Sequence, residues 1–269
     1  MIAAILNLSL YVFLARTLTS EKLGIFNIHL TLFLFVSSTV IGAVERIVER
    51  EWVSKAVNSP NDLKASMVLI IAGGLRWFLF SWASIILVTY AISDVLEWDT
   101  IFWLFAASMC VMVIRVENII RNASQKHVEF AVYRVLDPAL RLLCVAMLYF
   151  GFTQFTPRAV AISFFVAVAL LAGFMLYARF KRFKQLFRCG DIFASQPFLG
   201  VLSVGPIFRS NLAFWTLLIL VQPLLEKSVS IEDSGIYGTL FQAGFLPIQF
   251  LAATLIVAIT PYLYRYFDT

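Results

Sequence analysis

The stretch that decides the fold reads Glu226-Lys227-Ser228-Val229-Ser230-Ile231-Glu232-Asp233-Ser234-Gly235-Ile236-Tyr237. This short polar turn lies between apolar segments, and a long apolar run follows it as far as Pro261. Ser230 can cap the helix that follows the turn, and Glu232 then lies near the positive end of the helix dipole. The pattern predicts a helical hairpin.

A similar turn occurs once before, over residues 15–26. At a constant offset of 211, Thr19 pairs with Ser230 and Gly24 pairs with Gly235. Two interpretations are open at this point. Membrane hairpin turns can resemble one another without a common origin, or the chain is an internal duplication in which the second half of a two-lobed transporter begins near residue 200.

The composition indicates a membrane protein. The 269 residues are 61% hydrophobic and 14% charged, whereas about a quarter of the residues in a soluble domain are charged. Apolar runs of about 18 residues or more recur, which is the length that crosses a bilayer. We therefore attribute the net charge of +5 to membrane topology and to contact with the lipid surface rather than to nucleic-acid binding.

We predict an all-α polytopic membrane helical bundle of about eight transmembrane helices. The loop after span 2 holds Arg46, Arg50, Lys55 and Lys64, and basic residues also fill the loops after spans 4 and 6. On the opposite side, residues 93–99 are acidic and residues 151–157 contain no basic residue. The N-terminus is therefore expected to be cytoplasmic. The predicted spans are 1–18, 24–43, 65–91, 99–117, 133–151, 157–178, 203–225 and 236–262.

These spans divide into three predicted regions. Residues 1–178 form a six-helix lobe, residues 179–202 form a basic cytoplasmic linker, and residues 203–269 form the first two helices of a second, incomplete lobe. We expect this chain to be a truncated form of a longer transporter.

Charged residues inside the spans are costly and usually face a protein interior or a wet cavity. Arg134, Asp137 and Arg141 share one face of span 5, because they are three and four residues apart. Asp137 can pair with either arginine. Either one arginine remains to attract an anion, or Asp137 and Arg141 form a structural pair while Arg134 reaches the surface. The candidate cavity residues are Arg76, Arg134, Asp137, Arg141, Arg209, Gln242 and Gln249.

The sign of the deep charges favours an anionic substrate. Asp137 is set against several arginines and span 1 contains no acid, so the predicted cavity attracts anions and repels lipophilic cations. The sequence has no nucleophile-elbow, HExxH or Walker motif, and its three cysteines show neither pairing nor metal-ligand spacing. We therefore predict no enzyme activity, no cofactor and no metal site.

The residues around both turns resemble one family. Segment 226–266, with its polar turn, Gly235-Ile236-Tyr237, Leu246-Pro247 and closing Pro261, resembles the seventh-to-eighth helix region of polysaccharide biosynthesis flippases. These are the O-antigen transporter group of the multidrug/oligosaccharidyl-lipid/polysaccharide exporter superfamily. Residues 14–26 resemble the first hairpin of the same family, and residues 121–141 resemble its connection between spans 4 and 5.

The resemblance implies a transporter that flips an undecaprenyl-diphosphate-linked oligosaccharide across the cell inner membrane by alternating access. That glycan would be an O-antigen, capsule or exopolysaccharide unit. The implied partners are this glycan, the lipid bilayer and other glycan assembly proteins, with no nucleic acid. The alternatives are a drug or cation exporter, the lipid II flippase branch, a membrane-bound glycan polymerase, and a remnant that only inserts and packs. The acid-free span 1 disfavours the cation exporter, and the short outer loops disfavour the polymerase.

Overall fold

The structure, a computed structural model, describes residues 2–55, 60–92, 95–151, 155–178 and 224–241, with the single positions 208, 209, 212, 221, 244, 248, 255 and 259. Within these residues all regular structure is helical, as the composition predicts. The helices are α1 (Ile2–Thr17), α2 (Ser20–Val36), a π-helix (Ser37–Ile41), α3 (Gly42–Lys55), α4 (Pro60–Ile92), α5 (Trp98–Ala123), α6 (His127–Gly151) and α7 (Pro157–Ala178). We use α8 for the helix over residues 231–241.

Four of the described helices are long and apolar enough to cross a membrane, namely Ser20–Lys55, Ala65–Ala91, Trp98–Ala123 and Pro157–Ala178. Helix α1 is shorter, at 16 residues, and α6 carries Arg134, Asp137 and Arg141 along its length. The predicted spans 203–225 and 236–262 lie largely outside the described residues, as does the predicted linker 179–202. The total of eight spans therefore stays a prediction.

The chain does not leave its helix after residue 43, so the prediction of a loop there was wrong. Helix α2, the π-helix and α3 form one uninterrupted rod from Ser20 to Lys55. Arg46 and Arg50 lie on the exposed side of α3, while Val44 and Val48 are buried on the other side. The first charged residues mark a change from an apolar to an amphipathic helix rather than the end of the helix.

The helices pack side by side with one continuous apolar core. Helix α5 lies against α7, α7 against α6, and α6 against α1, while α3 lies against both α4 and α5. Gly74 lies where α4 meets α3 and α5, and a Cβ atom added there would lie 2.5 Å from Val44 Cγ2 and 3.3 Å from Met112 Cε. The absence of a side chain at Gly74 thus allows this close helix packing.

The bundle has two distinguishable ends. We call the end where α1 meets α2, α4 meets α5, and α6 meets α7 the Thr19 end. The opposite end, where α3 meets α4 and α5 meets α6, is the Lys55 end. Helix α2 begins at the Thr19 end. The start of α8 contacts the first turns of α2, so it lies at the Thr19 end as well.

Candidate functional site

The two similar turns have the same local structure. Each contains two backbone hydrogen bonds and one side-chain cap at the positions that the offset of 211 predicts. In both turns the cap hydroxyl accepts a hydrogen bond from the backbone N–H three residues later, which is the usual N-cap geometry. The equivalent pairs are Leu18 N to Leu14 O (2.9 Å) and Val229 N to Leu225 O (2.9 Å), Leu23 N to Thr19 O (2.8 Å) and Ser234 N to Ser230 O (3.1 Å), and Lys22 N to Thr19 Oγ1 (3.4 Å) and Asp233 N to Ser230 Oγ (3.0 Å).

The two turns also contact each other, and they do so at their paired glycines. A Cβ atom added to Gly235 would lie 2.8 Å from Gly24 N and 2.9 Å from Ser20 O, and one added to Gly24 would meet the carbonyl oxygen of Ile231. Asn27 Nδ2 donates a hydrogen bond to Gly235 O at 3.1 Å and is 2% exposed. Helices α2 and α8 therefore cross backbone against backbone, at a separation that only glycine permits. We call this contact the glycine crossing.

Beside the glycine crossing, His29 links α2 to the backbone just before α5. His29 is fully buried, and its Nε2 accepts a hydrogen bond from the Glu97 backbone N–H at 2.9 Å. Its Nδ1 lies 2.6 Å from Ile25 O, so the network assigns the proton to Nδ1. These two backbone contacts give His29 a structural role.

Arg141 and Asp137 form a tight pair within the bundle. Arg141 Nε and Nη2 donate to the two carboxylate oxygens of Asp137 at 2.8 and 2.7 Å, which is bidentate geometry. The Arg141 guanidinium also lies 5.8 Å from the ring centre of Phe33 and 5.9 Å from that of Phe164. Of the two partners that the sequence leaves open for Asp137, the structure selects Arg141.

We expect Arg141→Ala to reduce the amount of folded protein, because it leaves the Asp137 carboxylate without its partner in a largely apolar setting. The double variant Arg141→Ala, Asp137→Asn should recover membrane expression and thermal stability. Size-exclusion chromatography and melting curves in detergent measure both quantities. A double variant as unstable as Arg141→Ala would mean that Arg141 does not act by neutralising Asp137.

Arg134 interacts with a different set of residues from Arg141. Although the two share a helix face with Asp137, Arg134 lies close enough to Glu45 of α3 and Arg115 of α5 to interact electrostatically with both. Arg115 Nη1 lies 3.3 Å from Glu45 Oε2. The side chains of Arg115 and Glu45 are 39% and 25% exposed. Arg115 and Glu45 thus pair between α3 and α5, and Arg134 of α6 interacts electrostatically with both, an arrangement that the sequence does not reveal.

The remaining predicted site residues fall into two groups. Arg76 is half-buried and Arg209 is exposed. Their sequence neighbours Trp77 and Phe208 pack together, with ring centres 4.3 Å apart, so both arginines belong to the same region of the protein. Gln242 and Gln249 lie outside the described residues.

A buried polar network lies near the Lys55 end, between α3, α5 and α6. Arg121 is 2% exposed and lies 3.4 Å from Glu117 Oε1, 3.6 Å from Glu129 Oε2 and 3.9 Å above the centre of the Tyr133 ring. The pairing of Glu117 with Arg121 follows from their spacing of four residues. Arg121 also contacts Glu129 and Tyr133, because the turn between α5 and α6 brings these two helices together.

Three further polar residues lie beside this network, and one of them, Glu49, comes from a distant part of the sequence. Glu49 is 2% exposed and accepts a hydrogen bond from Asn122 Nδ2 at 3.2 Å. Asn122 Oδ1 in turn lies 3.3 Å from His127 Nδ1. No sequence signal identified Glu49, because its burial depends on α3 continuing as a helix. In the part of the chain that the structure describes, no group of three His, Cys, Asp or Glu side chains is arranged to hold a metal ion.

Comparisons with known proteins find a structure with a similar fold, but they do not identify a family. No family model matches the sequence, and no curated protein matches it. A solved structure named only "protein A" is similar, with a TM-score of 0.69 and 14% sequence identity. The match covers 98% of this chain and 62% of that one, so this chain spans less than two thirds of that structure's length. At this identity the likeness concerns the fold alone.

Proposed function

We propose that the protein is a two-lobed flippase of the polysaccharide type, which moves a lipid-diphosphate-linked oligosaccharide across the cell inner membrane. In this proposal the second lobe begins with the segment that leads into α8. The N-terminus lies in the cytoplasm, so the Thr19 end faces outward. No covalent chemistry is required of the protein.

The observation that carries the proposal is the glycine crossing. Two turns with the same hydrogen bonds meet at equivalent residues, which is the relation expected of the opening hairpins of two repeats in a transporter. Alternating access needs such a contact, because the two lobes must close one end of a shared cavity while the other end is open. Such a crossing of two backbones closes tightly. The Asn27 amide donates across it to Gly235 O and Thr239 Oγ1, and these bonds must break when the two helices separate.

The charge distribution supports an anionic headgroup. Arg115 lies 3.3 Å from Glu45, and Arg134 of α6 interacts electrostatically with both residues. Cationic groups of this kind offset the cost of bringing a phosphate or diphosphate into a membrane protein. Helix α1 contains no acidic residue, so the cation exporter is the weaker alternative.

Transbilayer movement of a fluorescent lipid tests the proposal. Vesicles containing the purified protein would carry a short polyprenyl diphosphate linked to a tagged disaccharide, and an impermeant reductant would quench only the tag in the outer leaflet. We expect the protein to make the inner-leaflet fraction accessible to the reductant. The matching lipid with a single phosphate should move more slowly, because it carries less charge.

Two results would contradict the proposal. Equal movement of the diphosphate, the monophosphate and an uncharged glycolipid would indicate a non-selective scramblase. Accumulation of a lipophilic dye cation, with no movement of the diphosphate lipid, would favour the exporter alternative. Protein-free vesicles and vesicles with Gly173→Ala, a change on the exposed surface of α7 where a Cβ meets no atom within 4 Å, serve as controls.

A further inference from the structure

An open cleft lies at the Thr19 end of the bundle, between the start of α5 and the start of α7. Its volume is about 540 Å³, and it is lined by Glu97, Trp98, Asp99, Thr156 and Arg158. We call it the Trp98 cleft. The volume lies within the range of small-ligand sites, and the lining is polar and charged apart from one aromatic ring.

The Trp98 cleft lies at the depth of the lipid headgroups. Two helices long and apolar enough to cross a membrane begin beside it, at Trp98 and Pro157, and a third ends nearby at Ala91. The ends of such segments lie where the hydrocarbon core meets the headgroups. The Trp98 side chain is 59% exposed, and its ring centre lies 6.2 Å from that of the exposed Tyr90. Exposed Trp and Tyr side chains are typical of this boundary.

The charged side chains of the cleft have both signs. Arg158 Nη1 lies 2.8 Å from Asp99 Oδ2, and the two side chains are 56% and 67% exposed. Exposed ion pairs contribute little to stability, so a ligand can exchange partners with this pair without unfolding the protein. Glu97 provides a second carboxylate in the same cleft.

Local hydrogen bonds position these groups. The Glu97 N–H donates to a side chain of α2 at 2.9 Å, and Glu97 Oε2 accepts a hydrogen bond from Thr100 Oγ1 at 2.7 Å. Thr156 Oγ1 accepts a hydrogen bond from the Ala159 N–H at 3.2 Å, so it caps the helix whose first turn carries Arg158. The carboxylates beside α5 and the guanidinium of α7 are therefore positioned by the protein itself.

A zwitterionic headgroup complements this arrangement. Phosphatidylethanolamine carries an ammonium group two carbons away from a phosphate, so its opposite charges are neighbours, as are those of Asp99 and Arg158. The ammonium has three N–H donors for carboxylate acceptors, and the phosphate can accept two hydrogen bonds from one guanidinium. The acyl chains would lie beside apolar residues such as Phe102, which is exposed one helical turn further along α5.

We propose that the Trp98 cleft binds the headgroup of phosphatidylethanolamine, with the ammonium on Glu97 and Asp99 and the phosphate on Arg158. The bound lipid links the start of α5 to the start of α7 from outside the bundle. The assignment requires only that these helices lie in a membrane, so it does not depend on the proposed flippase function.

Binding of dioctanoyl phosphatidylethanolamine to the purified full chain in detergent, measured by native mass spectrometry, tests the site. Dioctanoyl phosphatidylcholine is the matched lipid, because it has the same charges and acyl chains but no N–H donor on its nitrogen. We expect the ethanolamine lipid to bind about tenfold to a hundredfold more tightly, the ratio that corresponds to one charge-assisted hydrogen bond. Equal binding of the two lipids to the unaltered chain would overturn the proposal, and this comparison needs no variant.

Variants at the cleft locate the bound lipid. Arg158→Ala and Glu97→Gln should each weaken binding of the ethanolamine lipid by about tenfold or more. Arg158→Lys should retain part of the affinity, because the charge stays while the bidentate fork is lost. Lys126→Ala is the matched control and should leave binding unchanged, since Lys126 also forms an exposed ion pair, with Glu129 at 3.1 Å, but lies at the Lys55 end.

Three further results would contradict the proposal. Unchanged affinity in both Arg158→Ala and Glu97→Gln would place the lipid elsewhere on the protein. An equal loss of affinity in Lys126→Ala would indicate a general effect of surface charge. If phosphoethanolamine, which has no acyl chains, binds as tightly as the lipid, the cleft takes a soluble zwitterion and the lipid assignment is wrong. Melting temperatures measured without lipid check that each variant folds.

Discussion

Gly24→Leu is expected to hold the glycine crossing open and to abolish the proposed lipid transport. A side chain at this position collides with the backbone of Ile231, whose carbonyl oxygen occupies the space that a Cβ atom would need. Backbone atoms cannot move aside as a flexible side chain does, so α2 and α8 must separate. Forcing extra atoms into a well-packed contact costs about 1–3 kcal/mol. Since 1.4 kcal/mol corresponds to a tenfold change in a population, the open form should gain roughly tenfold or more.

The accessibility of Ser234 measures this opening. Ser234 is fully buried at the crossing, so a cysteine in its place should react slowly with an impermeant maleimide. In a background without the three native cysteines, Gly24→Leu should raise the labelling rate of Ser234→Cys by about the same tenfold factor. Labelling from the outer side only would also establish the orientation of the Thr19 end.

The control for this experiment is leucine at Gly173, which is exposed on α7 and has no atom within 4 Å of an added Cβ. It should leave both labelling and transport unchanged. Gly24→Ala provides a milder version of the same collision if the leucine variant expresses poorly. Unchanged labelling of Ser234→Cys in a folded Gly24→Leu protein would mean that the crossing adapts by a local shift, and it would remove the crossing from the transport cycle.

Arg121→Ala is expected to lower the free energy of unfolding by about 3–5 kcal/mol, the usual cost of leaving one partner of a buried ion pair alone. The side chains of Arg121 and Glu117 are only 2% and 4% exposed. Removal of the guanidinium also takes away the cation that lies over the Tyr133 ring. Water cannot reach the buried Glu117 carboxylate without disturbing the packing around it.

Melting temperatures in detergent measure this effect. The double variant Arg121→Met, Glu117→Gln should recover most of the lost stability, because neither charge then stays buried alone. Lys126→Met is the matched control, since Lys126 pairs with Glu129 at the surface at 3.1 Å, and exposed pairs contribute about 0–1 kcal/mol. A double variant as unstable as Arg121→Ala would show that Arg121 stabilises through Tyr133 and packing rather than through its charge.

The features that were predictable from the sequence depend on residues close together in the chain. Thr19 and Ser230 were recognisable as caps because a cap bonds to a backbone group three residues away. The pairing of Arg141 with Asp137 was one of the alternatives that helical spacing allowed. The all-helical architecture followed from the length and apolarity of the runs. Each of these depends on local geometry that the helix imposes.

The features that were missed depend on how the helices pack. The offset of 211 related Gly24 to Gly235, yet nothing in the sequence indicated that the two glycines touch. Arg134 shares a face with Asp137, but an approaching helix supplied Glu45 as its neighbour. Glu49 was read as part of a loop because charge was taken to end the helix. All three features depend on tertiary contacts between segments that are distant in the sequence.

The π-helix has a consequence for the evolution of this rod. One surplus residue in a helical turn rotates everything after it by about 100° relative to a regular helix, so α2 and α3 present differently oriented faces although no loop separates them. Asn27 faces α8 upstream of the turn, while Glu45 and Glu49 face α5 downstream. Deleting a single residue within 37–41 would restore the regular period and turn both carboxylates away from Arg115 and Asn122. A one-codon loss here would thus uncouple two contact surfaces without changing any residue that forms them.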